Sequence, residues 1–74
     1  MTPEQCRAAR ALLNWSQKKL SDTAMVARAT LAEFEGGKRT PYARTLEDIR
    51  TALEAAGVEF TNGGQPGVKL KRER

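Results

Sequence analysis

The side chains of this chain that could do chemistry gather between Gln17 and Arg44, and they are cations, amides, hydroxyls and carboxylates. Arg28 carries a guanidinium that can bridge two adjacent acceptors, such as O6 and N7 of guanine. Five residues later, Glu33 can accept from an amino group such as that of cytosine. Thr30 suits either a base or a phosphate, and Ala27 and Ala29 are small enough to lie against a thymine methyl. Gln17, Lys38, Arg39 and Arg44 offer donors or positive charge to phosphate oxygens. All of this is recognition chemistry. No histidine is present and Cys6 is the sole cysteine, so neither a metal site nor a nucleophile–base pair is expected. Gly63-Gly64 sits in a turn-rich stretch and lacks the context of a phosphate-cradling loop. An enzyme reading therefore has no site, and no cofactor is expected.

Such groups act together only if a rigid element presents them. Leu31 and Phe34 lie three apart and give residues 28–35 one apolar side. Arg28, Ala29, Ala32 and Glu33 fall on the other side. Gly36-Gly37 stops this helix, and Lys38-Arg39-Thr40-Pro41 follows as a basic loop. Ahead of it, Ser16 caps a short polar helix over residues 17–24, whose inward positions are Leu20 and Ala24. A helix that short packs on neighbours or does not form.

The remaining elements build the support. Thr2, Pro3 and Gln5 predict a capping box and the start of a first helix, with Cys6, Ala9, Leu12 and Leu13 on one side and Asn14 at its end. Trp15 is expected to close over the core. Thr45 and Asp48 resemble a second capping box, opening a fourth helix with the stripe Leu46, Ile49, Ala52, Leu53 and Ala56, ended by Gly57. Beyond Gly57 the apolar period changes to two: Val58 and Phe60, then a turn from Asn62 to Gly67, then Val68 and Leu70. The predicted fold is mainly α, a four-helix helix-turn-helix domain over residues 1–57 with a short C-terminal β-hairpin at 58–71 and a tail at 72–74.

The stretch from Ser16 to Pro41 resembles the helix-turn-helix family of phage repressors and Cro proteins, the XRE family. The matching residues are Ser16-Gln17, Leu20, Ala24, Val26, Thr30-Leu31, Phe34-Glu35, Gly37-Lys38-Arg39 and Pro41, and the fourth-helix stripe extends the likeness to cover roughly residues 5–58. The resemblance implies that residues 28–35 read DNA. It also implies a structural ion pair between Arg10 and Glu35, which sets both apart from the DNA-contacting residues. Two departures stand out: Met25 occupies a turn position where the family has glycine, and Ala27 stands where a Ser or Thr cap is usual.

Length and charge set the bounds. Seventy-four residues make one domain, whose small core gains from a partner subunit. The net charge of +4 leans toward polyanions without proving one. The lone cysteine suits a reducing cytosol, and the N-terminal residues do not read as a signal peptide. Within these bounds, the resemblance implies a transcriptional regulator of double-stranded DNA, expected to be cytoplasmic and nucleoid-associated and a repressor by default. It is expected to act as a homodimer on a pseudo-palindromic operator, with no membrane or small-molecule ligand. The hairpin residues Val58, Phe60, Val68 and Leu70 either pair across the two-fold axis or fold back on the fourth helix. The rival reading is a protein-interaction module of the antitoxin kind on the same fold. A single-strand binder would display stacking aromatics, and the four present, Trp15, Phe34, Tyr42 and Phe60, read mostly as core. Each charged candidate also fits a plainly solvated helix face, and Lys38 and Arg39 suit a helix C-terminus regardless of any ligand.

Overall fold

In a computed structural model of the chain, which describes residues 1–62 and 64–71, four helices lead into a two-stranded antiparallel hairpin. They are α1 (Pro3–Leu13), α2 (Gln17–Ala24), α3 (Arg28–Glu35), α4 (Ala43–Ala55), β1 (Val58–Thr61) and β2 (Gly67–Leu70). The predicted tail at 72–74 and Gly63 of the turn lie outside the described residues.

Local chemistry fixes the ends of the first three helices. The Thr2 hydroxyl accepts from the Gln5 N–H at 3.0 Å, while Gln5 Oε1 accepts from the Thr2 N–H at 2.9 Å, so two otherwise unpaired donors satisfy each other. Ser16 Oγ accepts from the Lys19 N–H at 3.0 Å and opens α2. All three helices close in the same way, with one left-handed residue at Asn14 (φ 59°), Met25 (φ 59°) and Gly37 (φ 74°). Each is spanned by a bond of 2.9 Å: Trp15 N–H to Arg10 O, Val26 N–H to Ser21 O, and Lys38 N–H to Glu33 O. Glycine suits this conformation and asparagine tolerates it. Met25 has neither advantage, and its side chain is 90% exposed, so packing returns little. Met25→Gly is therefore expected to raise stability by about 1 kcal/mol. A urea midpoint that fell instead would show that the methionine side chain supports the turn.

The fourth helix departs from the sequence expectation. It opens at Ala43, with Tyr42 at the cap and no side-chain bond there, so Thr45 and Asp48 form no capping box. The cause is tertiary. Pro41 is buried and fixes the chain direction. The Leu46 N–H then bonds Tyr42 O at 3.1 Å, which turns Leu46 and Ile49 toward the core.

That core comprises Cys6, Ala9, Leu20, Ala24, Leu31, Phe34, Ile49, Ala52, Leu53 and Val58, with Leu13, Trp15, Val26, Leu46, Phe60 and Val68 packed against it. The hairpin pairs Val58 with Leu70, Glu59 with Lys69 and Phe60 with Val68. Its apolar face thus lies on the protein's own helices. Val58 is 2% exposed and has no surface to give to a partner, Phe60 and Val68 are half-buried, and only Leu70, at 46%, stays open. Of the two uses expected for this face, folding back on the helices is the one seen: an isolated hairpin is marginal, and covering the core is what stabilises this one. Gln5 ties it down. This buried amide donates to Thr61 O at 3.2 Å and Gly67 O at 3.0 Å, bridging both strands to the start of α1. The Lys71 N–H bonds Gly57 O at 2.7 Å, just beyond the last paired residues of the two strands.

Candidate nucleic-acid interface

The placement of α3 decides what its side chains can reach. Leu31 and Phe34 are buried, at 0% and 3% exposure, and anchor one side. Arg28, Ala29 and Ala32 are exposed on the other, with Ala27 exposed just before the helix, and Thr30 and Glu33 lie half-exposed at its borders. Gly36 and Gly37 then release the chain into the loop that carries exposed Lys38 and Arg39. The Ala27 cap makes no side-chain bond to the first turn.

Beneath this surface a buried carboxylate fixes the angle between α2 and α3. Glu35 is 2% exposed. Its Oε1 accepts from Arg10 Nη2 at 2.7 Å and Gln17 Nε2 at 3.0 Å. Its Oε2 accepts from Arg10 Nε at 2.8 Å and the Cys6 thiol at 3.1 Å. The Glu35 carbonyl accepts from Arg7, and Arg10 Nη1 reaches Trp15 O at 3.1 Å. One residue of α3 thereby holds three of α1 and one of α2. Burial is the largest single influence on the Glu35 carboxyl and pushes its pKa upward. The hydrogen bonds of Arg10, Gln17 and Cys6, with the Arg10 charge, together carry it below the ordinary 4.5. Arg10 is held above its usual range, chiefly by the Glu35 bond. Burial, and then Glu35, push the Cys6 thiol far up, so Cys6 is a neutral donor in the core and no nucleophile.

The candidate phosphate contacts divide by environment. Gln17 sits at the start of α2 with its amide already bound to Glu35. Arg44 lies exposed in the first turn of α4, 3.9 Å from Asp48. Arg39 Nη1 donates to Glu33 Oε1 at 3.1 Å, linking a loop cation to the face of α3. Lys18 pairs with Asp22 at 2.8 Å on an exposed surface, and Lys19 lies 5.5 Å over the Trp15 ring. Among the described residues, no group of His, Cys, Asp and Glu could hold a metal ion, and no helix is long and apolar enough to cross a membrane.

A helix-turn-helix family model matches residues 7–59, more than half of the chain. The chain belongs to the XRE/Cro-type helix-turn-helix family. A search of curated proteins returned no significant match. The matched span covers most of α1, all of α2, α3 and α4, and the first residues of β1. The helix-turn-helix protein is thus a double-stranded DNA-binding regulator, built on a domain whose family is not enzymatic.

Ala32 is exposed between Arg28 and Glu33, on the outer side that the helical spacing predicts, and belongs with Ala29 as a small side chain that leaves this face uncrowded. One feature of this surface has no signal in the sequence. Tyr42, at 85% exposure, lines a shallow groove with Thr30, Arg39, Thr40, Pro41 and Thr45. Only the burial of Pro41 places it there, and no local pattern signals that.

Proposed function

We propose that the helix-turn-helix protein binds operator DNA as a two-fold homodimer, with the exposed face of α3 in the major groove, and represses by occupying a promoter. The observation that carries this reading is the division of α3: Leu31 and Phe34 are locked in the core while Arg28, Ala29 and Ala32 stand free. A helix so divided fits a groove about 12 Å wide without disturbing its own support. Arg28 is the main base reader, its guanidinium bridging guanine O6 and N7. Ala27 and Ala29 contact thymine methyls, and Thr30 reaches a base or phosphate at the border. Glu33, engaged by Arg39, is a weaker candidate for base reading than Arg28. Lys38, Arg39 and Arg44 meet phosphates, as does the second amide hydrogen of Gln17, whose first is committed to Glu35.

Dimerisation supports affinity, because one module this small makes few contacts and joining two multiplies them through effective concentration. The surface available for a second copy is the groove lined by Leu12, Leu13, Ala55, Ala56 and Leu70, where Leu12 is 42% exposed. It lies at the C-terminal end of α4, and about 20 Å of helix separates it from the loop beside α3. Both surfaces can therefore be occupied together. Glu54 and Lys71, of opposite charge, line the same groove, as a self-complementary two-fold contact requires.

Selection from a random duplex library tests the reading. Wild type should enrich a pseudo-palindrome with guanine at one position of each half-site. Arg28→Ala should bind that sequence about 1–3 kcal/mol more weakly and lose the guanine preference. Enrichment of the same motif with equal strength by the variant would show that Arg28 reads no base.

A further inference from the structure

The bond between Glu33 and Arg39 crosses from the recognition helix to the basic loop. Its 3.1 Å length joins side chains that are 44% and 63% exposed, respectively. An ion pair so open to water contributes little to folding. It does change what Arg39 can do. The loop follows two glycines and its cation has a long, rotatable stem; untethered, that guanidinium would sample many positions and lose entropy on binding a phosphate. Here it is restrained twice, by the Glu33 carboxylate and by its place in the groove with Thr30, Pro41 and Tyr42. Glu33 engages Nη1, and a guanidinium carries five N–H groups, so donors remain for a phosphate oxygen.

A bare carboxylate on this face would repel the DNA backbone, whereas a paired one does not. We propose, on the reading of α3 as the DNA-contacting helix, that Glu33 is a positioning residue for Arg39: it reads no base but aims the Arg39 guanidinium at a phosphate flanking the half-site. The same pairing partly neutralises Arg39 toward arbitrary DNA, so the pair favours the register in which the phosphate lies where the guanidinium already points. Glu33 thereby raises discrimination without touching a base.

The test is a double-mutant cycle with wild type, Glu33→Gln, Arg39→Ala and the double variant, with Glu33→Asp as the conservative control. Binding is followed by fluorescence anisotropy on the duplex that wild type selects and on a scrambled duplex of equal length. All five proteins should melt alike, since the pair is exposed. With Arg39 present, Glu33→Gln should weaken the selected duplex about two- to fivefold and bind the scrambled one as well as wild type or better. In the Arg39→Ala background the same change should cause no weakening, and Glu33→Asp should retain most of the affinity. Equal weakening by Glu33→Gln in both backgrounds would mean that Glu33 reads a base directly and would overturn the proposal, as would no effect in either. Failure of wild type to bind any duplex would instead refute the DNA reading on which it rests.

Discussion

Replacing Glu35 by alanine should remove about 3–5 kcal/mol of stability, because it strands a partly buried arginine together with the donors of Gln17 and Cys6. A domain of this size is stable by roughly 0.05–0.15 kcal/mol per residue, so the loss takes a large share of the margin, and the variant should melt at least about 12 °C below the wild type in a thermal titration. The double variant Arg10→Met, Glu35→Leu should lose far less than the sum of the two single changes, since it removes both charges instead of isolating one. Additive losses would mean that the pair carries no coupling. The same carboxylate predicts a direction with pH. Its folded-state pKa is depressed, so its contribution is fully present above the ordinary carboxylate value of 4.5 and is lost as pH falls through the lower folded-state value. Acid should therefore destabilise the wild type below about pH 4.5 more steeply than it does the double variant.

The second large effect is that of salt on DNA affinity. Lys38, Arg39 and Arg44 supply three cations per protomer, and a homodimer presents twice that number. Each phosphate neutralised contributes about 0.9 to the slope of log affinity against log salt. The dimer should thus show a slope near −5 and lose affinity about a thousandfold between 50 and 200 mM salt. Lys38→Ala should reduce the slope by roughly 1 per protomer while leaving the preferred sequence unchanged. A slope of about half the dimer value would indicate that a single protomer binds. Affinity indifferent to salt would point to an apolar protein contact as the use of this fold.

Much of this architecture was legible because local chemistry sets it. Thr2, Ser16 and the Gly36-Gly37 pair mark helix ends through bonds that span three to five residues, and the structure places those ends where the residues indicate. The split of α3 was equally visible, since Leu31 and Phe34 needed only helical spacing to be paired. What could not be read depends on long-range packing. Thr45 and Asp48 have the right types for a cap, yet the helix after buried Pro41 starts three residues earlier than that cap would place it. The alternation at Val58 and Phe60 predicts a strand with one apolar face but not its partner. That was settled by Gln5, whose amide reaches Thr61 and Gly67 from the other end of the chain. Gln17 and Arg39 were readable as phosphate donors but not as groups already bound to Glu35 and Glu33. Sequence spacing does not tell which of two acceptors a long side chain meets first.

The groove that α3 enters can be observed directly. Guanine N7 faces the major groove and adenine N3 the minor, and dimethyl sulfate methylates both. With the selected duplex saturated by the protein, guanine N7 in each half-site should be protected, and Arg28→Ala at matched occupancy should restore methylation at the guanine it contacts. Unchanged guanine N7 reactivity in a fully bound duplex, with protection at adenine N3 instead, would contradict the placement of α3 in the major groove.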